Sequence, residues 1–168
     1  MIGKEGEGFK VTMSAFDSGR YTVAAGATGL IRACLEESVA YANEREAFGK
    51  KISDLQLIQA KIARMSLDYQ AARLLYLKAG WLKNQGERNT KETSAAKWYA
   101  TDASFYAAEE AVQTHGGYGF SDEYNVERYL RNAKGAMIYE GSNEIQRLIQ
   151  AEYALGKRRD KSLRKEWP

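Results

Sequence analysis

The chain has 168 residues, 25 Lys or Arg against 22 Asp or Glu, a net charge of +3 and a single proline. That length suits one domain able to bury a core unaided, while one cysteine, Cys34, and one histidine, His115, exclude an internal disulfide and the usual zinc ligand sets. The small net charge, with no basic stripe interleaved with aromatics and no apolar run near the ~20 residues of a bilayer span, argues against nucleic-acid and transmembrane roles.

The opening segment "MIGKEGEGFK" carries acids and lacks the apolar core of a secretory signal. Helical pattern in "GFKVTMSAF" is expected to turn at "DSG" and enter a helix from roughly 18 to 44. That helix sets Val23, Ala27, Leu30, Cys34 and Tyr41 on one side, with Ile31, Leu35 and Val39 widening the apolar stripe. A second helix places Leu55, Ile58, Ile62, Met65, Tyr69, Ala72, Tyr76 and Ala79 on one face. Ser53 with Gln56 predicts a capping-box start for it, and Gly86 its stop. A third begins near Asn89, with Glu92 as capping partner, and carries Ala96, Ala100, Ala103, Ala107 and Ala111, a row of small residues that lets a neighbour approach closely. The glycines of "HGGYG", residues 115 to 119, end it. A short helix over 123 to 133 and a last one over 143 to 155 follow. The last is expected to turn Ile145, Leu148, Ile149 and Leu155 inward, with Ser142 or Asn143 capping its start and Gly156 closing it. No stretch alternates with the period of a strand, so the chain reads as an all-α, up-and-down four-helix bundle with an additional short helix. The tail over 157 to 168 is basic, with six Lys or Arg between 157 and 165. It reads either as a solvated terminus or as an electrostatic contact for an anionic ligand or partner.

Three glycine-marked turns sit at helix ends, where a bundle gathers them on shared surfaces: "REAFG", "QTHGGYGF" and "YEGSNE". In "REAFG", Arg45 either grips a phosphate bidentately with Phe48 against a flat ring, or caps a helix while Phe48 joins the core. His115 reads as a turn or surface histidine, because no nucleophile stands near it in sequence. Glu140 lies between Ile138, Tyr139 and Gly141. An acid with such neighbours is poorly solvated and suited to act as a base, although on this stretch alone a helix cap or salt bridge is the more ordinary use for it. The helix beginning after Gly141 offers unpaired N–H groups to negative charge or carbonyl oxygens. A base followed by donors fits proton removal beside a carbonyl.

The ordered motifs "GEGF", "FDSGR", "YANEREAFGKKISDLQLIQAKIA", "QTHGGYGF" and "RYLRNAKGAMIYEGSNEIQRLIQAEYALG" resemble the C-terminal helical domain of the acyl-CoA dehydrogenases over nearly the whole chain. "YALG" and "VERYLRNAK" also resemble the glutaryl-CoA dehydrogenase branch. The resemblance implies a flavoenzyme that oxidises an acyl-CoA between its α and β carbons, with FAD as cofactor and an electron-transferring flavoprotein as acceptor. Glu140 matches the catalytic base; Arg45, Phe48, Gln56, Gln113, Gly116 and Gly117 match residues that meet FAD across a subunit interface. Ser142, Asn143 and Glu144 match the segment along the cofactor, and Asp17, Arg20 and Gly141 match positions that contact the acyl-CoA. Some family members carry the base in the "FDSGR" region, where this chain has Gly19.

The resemblance further implies self-association as a dimer or tetramer and a cytoplasmic setting, or the mitochondrial matrix in a eukaryote. Members of the family are more than twice as long, with an N-terminal helical domain and a central β domain, so residues 1–9 are expected to be the remnant of an interdomain linker. The isolated chain is then expected to be inactive, with Glu140 facing water. The alternative is a helical interaction module derived from this family that has shed catalysis.

Overall fold

The computed structural model describes residues 3–158, so the basic tail from residue 159 onward lies outside the described residues. It contains five α-helices: α1 (Gly8–Glu44), α2 (Gln56–Asn84), α3 (Thr90–His115), α4 (Val126–Ala136) and α5 (Asn143–Ala154). A two-stranded hairpin joins α1 to α2, β1 (Glu46–Ala47) pairing antiparallel with β2 (Lys50–Lys51), and a 3-10 turn over Gly116–Phe120 follows α3. The all-α reading holds; the hairpin was not foreseen, since strands of two residues carry no readable alternation.

Side-chain contacts fix the directions of the long helices. Tyr21 early in α1 packs against Gly80 late in α2, and Lys61 early in α2 pairs with Glu110 late in α3, so α2 runs antiparallel to both. Thr90 at the start of α3 donates to Asp17 at the start of α1 at 3.1 Å, so those two run parallel. The predicted alanine row explains why α3 lies at the centre. Ala96, Ala100, Ala103, Ala107 and Ala111 are all buried, and so are Thr93, Ser94, Thr101 and Ser104 between them. Small side chains let α1, α2, α4 and α5 all pack against this one helix. Of its hydroxyls, Thr101 and Ser104 bond back to the carbonyls of Lys97 and Thr101, which satisfies these two polar groups, whereas the buried Thr93 hydroxyl has no partner among the described residues. Cys34 is part of this core, and burial pushes its thiol up to about 12, so it is no nucleophile at neutral pH.

Five expectations need correction. The "DSG" turn does not form, and α1 runs unbroken for 37 residues. Its glycine serves packing, as described below. Gln56 begins α2 after Leu55, without a side-chain cap, and the Asn89 amide donates to the Ala79 carbonyl at 2.8 Å instead of closing a capping box. The short fourth helix starts at Val126, three residues later than expected. In α5 the inward residues are Asn143, Gln146 and Ile149, whereas Ile145, Leu148 and Leu155 are exposed. Gly86 and Gly156, both at positive φ, do end α2 and α5.

The outer face of α2 exposes Leu67, Leu74 and Trp81, seven residues apart, with Leu77 beside them. No helix among the described residues is long and apolar enough to cross a membrane.

Candidate functional site

The predicted site residues gather at the two ends of α1. At its start, Asp17, Arg20, Glu140, Gly141 and Ser142 come together around the six-residue bend that links α4 to α5. The amide of Asn143 donates to the Met137 carbonyl at 3.0 Å and closes this bend. At its apex Glu140 and Gly141 take positive φ, 55° and 85°. For glutamate that conformation is strained, by about 1 kcal/mol or more, and persists only where the surroundings enforce it.

Gly19 supplies the space for Glu140. A Cβ there would lie 2.6 Å from Glu140 Cδ and closer still to Oε2, so only a residue without a side chain lets the carboxylate rest against the backbone of α1. Gly141 is held in turn by Gln146, whose Nε2 donates to its carbonyl at 2.9 Å. Arg20 reaches over the same glycine and is only 8% exposed. Burial lowers its pKa, while the nearby Asp17 and, more weakly, Glu140 act in the opposite direction. Its Nη1 donates to Asp17 Oδ1 at 3.4 Å, but its Nε and the Gln146 Oε1 have no partner among the described residues.

Glu144, on the first turn of α5, has its pKa lowered by its own backbone N–H and by the Ser142 hydroxyl. The Asn143 side chain points inward: its amide donates to Thr101 Oγ1 and Asp102 Oδ1, and its oxygen accepts from Lys97 Nζ. These bonds hold the segment from beneath. Ile138 and Tyr139 are exposed and do not enclose Glu140, contrary to the reading of those neighbours as its apolar wall.

The second group lies where α1 ends. Arg45 is the C-cap residue of α1 through its backbone, and its guanidinium stands 5.7 Å from the centre of the Tyr118 ring. A cleft of about 550 Å³ is lined by Arg45, His115, Gly116 and Gly117. An adjacent cleft of about 680 Å³ is lined by Phe48, Gln56 and Gln113. Phe48 does not join the core: it is 91% exposed at the hairpin tip, where it and Gly49 both take positive φ, as a tight two-residue hairpin turn requires. His115 is buried, accepted by the Ala111 carbonyl at 2.8 Å and stacked on Tyr41, so it is a turn histidine as expected. Among the described residues no group of His, Cys, Asp and Glu is arranged to hold a metal.

Sequence reasoning missed Lys97 and Gln146. Both sit on polar faces that hydrophobic periodicity assigns to solvent, yet both are fully buried. The available signal was a lysine set between Ala96 and Ala100 in the small-residue row.

An all-α bundle with a strained glutamate at one end and an arginine-lined cleft at the other agrees with a helical domain of the acyl-CoA dehydrogenase type. The chain belongs to that family: the profile "Acyl-CoA dehydrogenase, C-terminal domain" matches residues 6–155. An acyl-CoA dehydrogenase of Bacillus subtilis (strain 168) is 48% identical over 93% of this chain and 41% of its own length. The structure of butyryl-CoA dehydrogenase from Megasphaera elsdenii superposes with a TM-score of 0.89 at 42% identity, covering 91% of this chain and 40% of that one. A glutaryl-coenzyme A dehydrogenase in complex with glutaryl-CoA gives 0.91 at 39% identity, covering 93% and 40%. The chain thus spans about 40% of the relatives it matches.

Proposed function

We propose that these residues form the C-terminal domain of a flavin-dependent acyl-CoA dehydrogenase, with Glu140 as the base that removes the α proton of an acyl-CoA thioester. The observation that carries this reading is the geometry of Glu140: a carboxylate lodged against the backbone at Gly19, on a left-handed residue that its surroundings hold in place. The Glu140 N–H has no backbone acceptor among the described residues, so it is available to polarise the thioester carbonyl and make the α proton acidic enough for a carboxylate to take. Asp17, Arg20 and Gly141 then line the acyl-CoA side of the bend.

The residues present suit FAD. Arg45 offers a fixed cation for a phosphate, Gly116 and Gly117 allow close approach to the backbone, and Phe48 offers an exposed ring. Gln56, Gln113, Ser142 and Glu144 add polar contacts. FAD held there would supply the acceptor for the hydride of the β carbon, with an electron-transferring flavoprotein as the partner that would reoxidise it. The exposed stripe Leu67, Leu74, Trp81 on α2 supports self-association as a dimer or tetramer, and a monomeric mass for the chain in solution would count against it.

The purified chain given FAD, an acyl-CoA and an acceptor dye is expected to show no dye reduction beyond that of free FAD. The decisive experiment substitutes this chain for the matching segment of the Megasphaera elsdenii butyryl-CoA dehydrogenase and offers the chimera a series of acyl-CoA thioesters. Substrate-dependent bleaching of the flavin is expected, and a folded, flavin-loaded chimera that bleaches with none of them would overturn the reading. Arg45→Ala in that chimera is expected to weaken FAD retention by roughly 10- to 100-fold, the loss of a charge-assisted hydrogen bond. Release of free flavin on gel filtration measures it.

A further inference from the structure

Among the described residues Lys97 is the largest fully buried side chain, with 0% of its surface exposed. A buried ammonium is costly unless it is paired, yet among the described residues Lys97 forms no ion pair. Its Nζ donates to two neutral acceptors, the Met137 carbonyl at 3.2 Å and Asn143 Oδ1 at 2.8 Å. Those acceptors are the two feet of the bend that carries Glu140. Met137 O is also the acceptor that closes the bend, so one carbonyl receives both the Asn143 N–H and the lysine. Asn143 in turn hands the interaction on to Asp102 through a 2.7 Å hydrogen bond, and Asp102 is fixed by Trp98 Nε1 at 2.7 Å and by Arg147 at 3.3 Å.

We propose that Lys97 is the positioning residue of this site: by clamping both feet of the 137–143 bend to the central helix, it enforces the left-handed backbone at Glu140 and so keeps the carboxylate against Gly19. The consequence for proton abstraction rests on the reading of Glu140 as base, but the clamp itself does not. Neither acceptor lies on α1 or α2, so its hydrogen bonds do not tie those helices together. They serve the bend, and a bend that needs positive φ at a glutamate is one that needs outside enforcement.

The clamp carries its own signature. Burial lowers Lys97 to about 8, with Arg20 on α1 acting in the same direction and Asp102 on α3 and Glu144 on α5 acting against it. The ammonium is therefore present below that pH and is lost as pH rises through it, leaving a neutral amine with weaker hydrogen bonds.

The test uses the chain itself and needs neither flavin nor substrate. The backbone amide signals of Gly141 to Glu144, followed by NMR from pH 6.5 to 9.5, are expected to shift with a midpoint near 8. In Lys97→Met that transition is expected to vanish, while hydrogen exchange at the Asn143 amide speeds up at least about tenfold, with α2 amides unchanged. A bend whose signals stay flat across this range in the unaltered chain overturns the proposal, and so does a folded Lys97→Met variant with native exchange at Asn143. Should Lys97→Met fail to fold, the titration of the unaltered chain still decides. Because no turnover is measured, failure here leaves the dehydrogenase reading standing, and failure of the chimera leaves the clamp standing.

Discussion

Glu140→Gln in the flavin-loaded chimera will lower kcat by roughly 10³- to 10⁴-fold and change KM far less, the pattern for loss of a group that acts in the transition state. Glutamine matches glutamate in shape, and the bend is enforced by Gln146, Lys97 and the Met137 carbonyl, none of which senses the charge at position 140 directly. The variant is therefore expected to fold, retain flavin and bind acyl-CoA. What it lacks is an atom that can accept the α proton. Stopped-flow bleaching of the flavin on mixing with acyl-CoA isolates this step from product release. A variant that bleaches within threefold of the unaltered rate would remove Glu140 from the mechanism.

Gly19→Ala is expected to separate stability from catalysis. A methyl group at this position overlaps the end of the Glu140 side chain, with Cδ only 2.6 Å away. The obstructing atoms are the tip of a flexible, half-buried side chain, so the clash is relieved by swinging the carboxylate aside. Alanine also suits a helix interior better than glycine, by about 0.5–1 kcal/mol. Thermal or urea unfolding should thus show the variant as stable as the original or slightly more so. The displaced carboxylate should nevertheless cut kcat about 100-fold, the usual consequence of a reacting group misplaced by about 1 Å. Equal losses of stability and rate would show that Gly19 is only a packing residue.

Much of the frame could be read before the coordinates. The alanine row of α3, the glycine stops and the family motifs depend on local pattern, and a helix's core-facing stripe is written at its own period. The errors at the site share one cause: at Gly19, Lys97, Asn143 and Gln146 the residue answers to a distant segment instead of to its neighbours in sequence. "DSG" has the chemistry of a turn, yet its glycine makes room for a side chain 121 positions further on. On α5, Ile145 and Leu148 present the stronger apolar signal and still face outward, because Asn143 and Gln146 are needed inside to satisfy the carbonyls and the ammonium of the bend. Hydrophobic periodicity cannot see a polar interior.

The unbroken α1 has a consequence for how defective copies behave together. Arg20 and Arg45 are 25 positions apart on that one rigid rod, about 38 Å at 1.5 Å per residue, a gap that no single flavin dinucleotide bridges. Each copy would therefore lend its glutamate to one flavin and its arginine to another. Mixing a chimera disabled at Glu140 with a chimera disabled at Arg45 should then restore activity that neither possesses alone, since in each mixed pair one of the two shared sites receives the intact glutamate of one parent and the intact arginine of the other.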